Sequence, residues 1–160
     1  MIMVKKVKWN IDFDEDVYII GISCHKFDYW IALQINRTLK LNLIRQPDLS
    51  VFNPEKGSSI NYTLFDFIKP DIQTSFALIS NHNPEGKLFP DQKSFDYFLL
   101  INGMINSEEK SKLITAIKKI PHVLIAHNLN LKKIKNLPEF ISDLELHLIE
   151  IAGRKKGKFY

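Results

Sequence analysis

Residues able to do chemistry are few in this chain and scattered. Cys24 is the only cysteine, and it stands next to His25. Adjacent side chains diverge in helix and strand alike, so the two do not form a thiolate–imidazole pair. Cys24 reads as a small buried apolar residue. The other histidines are His82, His122, His127 and His147, and none falls in an H-E-x-x-H pattern or pairs with a second cysteine. No metal-ligand set follows from these spacings. Dinucleotide and mononucleotide glycine loops are missing, because Lys56-Gly57-Ser58 has no earlier glycine at the required distance. There is no G-x-S-x-G elbow. The carboxylates Asp28, Asp91 and Asp96 remain as a possible shared acid/base site with a histidine, which requires the fold to bring them together. The competing reading is that each anchors a turn or a helix end. No catalytic residue, metal or cofactor is expected.

Charge gives a second class of candidate. The chain carries 22 Lys+Arg against 18 Asp+Glu, a net charge of +4. Arg154, Lys155, Lys156 and Lys158 account for that whole excess, and the body is neutral. Lys132, Lys133 and Lys135 form a short basic cluster, and Asp12, Asp14, Glu15 and Asp16 an acidic one. Clusters this short read as solvated faces. With the tail, the basic cluster could serve nucleic acid by charge alone. The 11 Phe, 5 Tyr and 2 Trp lack the interleaved glycine and basic residues of an RNA-stacking sheet, so they read as core.

The elements that must position these groups are legible from periodicity. Val7, Trp9, Ile11 and Phe13 alternate with polar residues and predict a strand. Asp14 then resembles a helix N-cap, and Val17, Ile20, Gly21 and Cys24 recur at helical spacing, with a strand over Val17 to Ile22 as the alternative. A helix capped by Asp28 carries Ile31, Ile35 and Leu39, and Pro47 shows the chain has left it. After the turn-rich stretch 53–59 come strands over Ile60 to Ile68, Gln73 to Ser80 and Phe95 to Ile101. Asn106 and Glu109 form a capping box for a helix ended by Pro121, and Val123 to Ala126 reads as a buried strand. Those pieces make a β-α-β unit. A last helix starts at Leu137 with Pro138 in its first turn and ends before Gly153.

The expectation is one α+β domain over 1–151, with a mostly antiparallel sheet, an N-terminal helix pair and the β-α-β unit. Residues 152–160 form a basic flexible tail. The strands are apolar on both faces, so two covers are needed. The earlier helices supply one, and the segment from Leu137 or a second subunit supplies the other. No apolar run approaches the ~20 residues that span a bilayer, no secretion signal opens the chain, and one cysteine forms no internal disulfide.

The stretch Phe89-Pro90-Asp91-Gln92-Lys93-Ser94-Phe95-Asp96-Tyr97 resembles the signature of the IPExxxVDY family. Pro90, Asp96 and Tyr97 match it literally, and Phe89, Asp91 and Phe95 replace Ile, Glu and Val. Ile20-Gly21-Ile22, Asp28-Tyr29, Leu78 to Asn81 and Lys132 to Leu137 look alike too. The likeness covers about 4–140, and 141–160 extend beyond it. It implies a small bacterial cytoplasmic protein of unknown function and transfers no catalytic residue. Asp28, Tyr29, Pro90, Asp91, Asp96 and Tyr97 are then structural. The function expected is a non-enzymatic interaction or regulatory module with a protein partner or a second copy, off the membrane. The alternatives are a nucleic-acid accessory protein using its tail and an enzyme built on a carboxylate and a histidine.

Overall fold

The computed structural model describes residues 17–69, 71 and 73–157, with 154–157 described by backbone alone. Its elements are β1 (Val17–Cys24), α1 (Asp28–Leu39), β2 (Ile44–Asn53), β3 (Ser58–Lys69), β4 (Thr74–Ser80), β5 (Tyr97–Asn102), α2 (Ser107–Lys118), β6 (Val123–Asn128) and α3 (Leu137–Gly157). Single 3-10 turns lie at Pro90–Gln92 and Leu131–Lys133. The architecture is α+β, a six-stranded sheet in the order β2-β3-β4-β5-β1-β6 with every neighbouring pair antiparallel.

The segment 17–24, expected to be helical, is instead the central strand β1. All eight of its residues are buried, because both faces of the sheet are covered there. A strand covered on both sides loses the polar–apolar alternation that would identify it. Gly21 fits this position because the Phe95 ring lies where its Cβ would be, 2.8 Å away. The predicted strand over Val7 to Phe13 and the Asp14 cap lie outside the described residues.

The β-α-β unit is present in split form. β5 and β6 both run antiparallel to β1, which lies between them, so they are parallel to each other without touching. The capping box of α2 is formed: Asn106 Oδ1 accepts the Glu109 N–H at 2.8 Å, and Glu109 Oε1 accepts the Asn106 N–H. Strand β2 was not foreseen. It carries Pro47 and a register shift between Gln46 and Leu49, which break its period.

The two covers are both supplied by the chain. Helices α1 and α2 pack on one face over Ile20, Ile22, Leu78, Leu99 and Ile101. Helix α3 covers the other with Leu137, Phe140, Ile141 and Leu144, over Ile19, Leu64, Ile79, Phe98 and Leu100. Helix α3 does not stop before Gly153 but continues to Gly157, so 152–157 are helical. No described helix is long and apolar enough to cross a membrane.

Candidate functional site

Asp96 and Tyr97 lie where three connections meet, and their chemistry is that of a clasp. Asp96 sits just before β5, its carboxylate mostly shielded at 14% side-chain exposure. Its Oδ2 accepts the Cys24 backbone N–H at 2.7 Å, at the end of β1. Its Oδ1 lies 2.5 Å from His82 Nε2, and Lys87 Nζ lies 2.6 Å from His82 Nδ1. Tyr97 OH donates to the Lys26 carbonyl at 2.5 Å, and Ser23 Oγ donates to the Ser94 carbonyl. Together these bonds fasten residues 23–26 to the start of β5. A carboxylate buried this far needs such donors to offset its desolvation.

Asn81 holds the other side of the clasp. It is fully buried, and its Oδ1 accepts the Phe89 N–H at 2.9 Å. Its Nδ2 donates to the carbonyls of Gln92 and Phe95. The Asn81 backbone also pairs with Asp96 and Leu88. One side chain therefore closes the loop 82–95 on itself.

The charges around Tyr97 are ordered by burial. Desolvation is the main cause that pushes its hydroxyl far above the ordinary tyrosine range, and the negative charges of Asp28, Cys24 thiolate and Asp96 add to it. Burial also raises the Cys24 thiol, partly opposed by a backbone hydrogen bond at Lys26. A buried, high-pKa thiol is a poor nucleophile.

The carboxylates considered as a shared site are only partly brought together. Asp28 and Asp96 both act on Tyr97, while Asp91 stands exposed in the 3-10 turn after Pro90. Asp28 does not cap α1 as expected: Phe27 occupies the N-cap position with no side-chain bond, and Asp28 Oδ1 accepts the N–H of Tyr29 at 2.7 Å. His82 is the one histidine within reach of a carboxylate in the clasp, and both its ring nitrogens are engaged, by Asp96 and by Lys87. Among the described residues, no three His, Cys, Asp or Glu side chains converge to hold a metal ion.

What the clasp positions is the connection that follows Cys24. Phe27 and Tyr29 project from it as a stacked pair, ring centroids 5.7 Å apart, and are 70% and 64% exposed. Trp30 turns inward and meets His122 edge-on at 5.6 Å, with Lys26 Nζ over the Trp30 ring at 5.7 Å from its centroid. His122 precedes β6, and Val123 pairs with Cys24, so the start of the edge strand β6 reaches the same corner. Leu124 there is 65% exposed. The other edge, β2, carries Arg45, Pro47, Asp48 and its register shift. Those are devices that discourage strand pairing, and β6 contains no charged residue and no proline.

Phe27 and His82 escaped the reading of the sequence. Nothing in the spacing marks a lone phenylalanine before a helix as exposed, or joins two residues 14 apart across a loop. Of the basic candidates, Lys132, Lys133 and Lys135 are exposed around the 3-10 turn. The backbone of Arg154, Lys155 and Lys156 continues α3, and Lys158 lies outside the described residues.

A separate apolar cleft of about 240 Å³ opens at the far end of the sheet, between α3 and the strand ends, with Val17, Leu100 and Leu148 in its walls. None of the clasp residues lines it. Compared with protein-family models and with curated proteins, the chain matches none.

Proposed function

We propose that the protein is a non-enzymatic interaction module that docks a protein partner, or a second copy of itself, on the corner formed by Phe27, Tyr29 and the start of β6. The observation that carries this reading is the stacked, exposed aromatic pair held out by a buried clasp. Isolated exposed apolar residues need no explanation, but adjoining large ones do. Aromatic side chains bury 150–250 Å² each when covered and dominate the energetics of interfaces. At about 25 cal/mol per Å², covering the two rings would be worth roughly 5 kcal/mol or more before association costs. Among the described residues β6 is an edge strand, and its backbone groups beside them suit a partner strand.

The rival enzyme reading has less support, since the carboxylate–histidine pair is spent on holding the loop and the cleft lies elsewhere. In keeping with the IPExxxVDY resemblance, the module is read as a bacterial cytoplasmic one. A photo-cross-linking residue at position 29 in the native cell tests the proposal, with position 139 on exposed α3 as control. The expected result is a discrete protein adduct, either a new partner or a doubled chain, at 29 and not at 139. Equal labelling at both positions would overturn it. A nucleic-acid adduct that vanishes with rising salt would replace it with the accessory-protein reading.

A further inference from the structure

We infer that the partner docked at the corner is an acidic amphipathic helix of another protein, laid along the outer face of α1 between two groups of cations. The inference rests on the docking reading above and adds the partner's chemistry. Helix α1 buries Ile31, Ala32 and Ile35 against the sheet. On the opposite side it exposes Tyr29, Leu33 and Arg37, which recur every four residues and so share one face, and Lys40 closes its end. Leu33 is 45% exposed. With the stacked Phe27 and Tyr29 it continues the aromatic corner into an apolar stripe along the helix. The 12 residues of α1 make it about 18 Å long, room for three turns of a second helix.

Cations stand at both ends of the stripe. Arg37 and Lys40 are exposed where α1 finishes. At the other end Lys26 lies over the Trp30 ring. Helix α2 finishes at that end too, with Lys118 and Lys119 exposed, because His122 just beyond them meets the same ring. Between Val17 and Ile44 the only acidic residue is Asp28, and its Oδ1 is occupied by the Tyr29 N–H. An apolar stripe framed by cations is complemented by apolar anchors at i, i+3 or i+4 and i+7, flanked by Asp and Glu. A second copy fits worse, since two-fold pairing of this face would set its cations against each other. A nucleic-acid strand fits worse as well, because it needs open ring faces for its bases. Phe27 and Tyr29 turn their faces to each other at an interplanar angle of 11°, and Leu33 has no ring.

A photo-cross-linking residue in place of Leu33, in the full chain in its native cell, tests this beside the one at position 29. The expected result is an adduct at 33 with the same protein that is caught at 29. The captured peptide should hold more Asp and Glu than Lys and Arg, with apolar residues at helical spacing. Arg37→Glu with Lys40→Glu should cut the yield at 33 several-fold, and Lys118→Glu with Lys119→Glu should do so independently. All four positions are exposed, so both variants should keep the circular dichroism of the parent. A yield that ignores both charge reversals overturns the inference, as does a neutral or basic peptide. A doubled chain or a nucleic-acid adduct at 33 overturns it too. Capture at 29 with none at 33 would strike this inference and leave the docking corner standing, whereas no capture at either position would strike both.

Discussion

Asp96, Tyr97 and Asn81 each spend a polar group on backbone, and the cost of removing them can be set from that. Asn81→Ala strands the Phe89 N–H and the Phe95 carbonyl in a buried site, while the Gln92 carbonyl keeps the Phe95 N–H as a partner. At 1–3 kcal/mol for each buried unsatisfied group, a loss of about 3 kcal/mol or more is expected in urea unfolding. Tyr97→Phe removes one bond to Lys26 and should cost about 1 kcal/mol near neutral pH. It also changes the alkaline limb. Burial holds the Tyr97 hydroxyl far above the ordinary tyrosine value of 10.0 in the folded chain, so above pH 10 the unfolded chain gives up a proton that the folded chain retains. Stability is full below that pH and falls as pH rises through it. Tyr18 and Tyr62 are raised by burial as well and act in the same direction. Melting temperatures taken from pH 8 to 11 should therefore fall, and fall less steeply in Tyr97→Phe. A parallel decline in both proteins would contradict the placement of that hydroxyl.

Elements were legible where one period dominated. The stripe Ile31, Ile35 and Leu39 marked α1, and Asn106 with Glu109 marked the start of α2, because amphipathic helices write their faces into the sequence. Both faces of β3 and β5 were also readable, since Tyr62 and Leu64 fall on the α3 side and Phe65 on the other. β1 was not, because a strand covered on both faces has no alternation and the acidic run Asp14 to Asp16 before it has the composition of a helix N-terminus. β2 hid for the opposite reason: it buries Gln46, which donates to Asp66, and exposes Ile44 and Phe52. Gly21 tests the account of β1. A methyl group there would meet the Phe95 ring at 2.8 Å, against the better strand propensity of alanine. The clash should win, and Gly21→Ala should lose about 1–3 kcal/mol by thermal or urea unfolding. A stabilised variant would show that the ring yields freely.

Across the whole molecule, the clasp, the corner and the cleft divide the labour. The sheet with α1 and α2 on one face and α3 on the other leaves two places unfinished, the aromatic corner at one end of β1 and the cleft at its other end. The need for two covers could be read from the strands, and α3 meets the second within the same chain. What no periodicity could show is which apolar residues would stay outside, because exposure depends on where the helices happen to end. The Asp96-Tyr97 pair acts on the corner from behind: it fixes Cys24 and Lys26, and the next turn carries Phe27 and Tyr29. The central claim is that this clasp exists to present that pair to a partner. The measurement that tests it is the yield of protein adduct from a photo-cross-linker at position 29, compared between the native background and the Asp96→Asn, Tyr97→Phe double variant at a temperature where both are folded. The account predicts a discrete adduct in the native background and a several-fold lower yield in the variant. An adduct of equal yield in both, or none above the control at position 139, would contradict it.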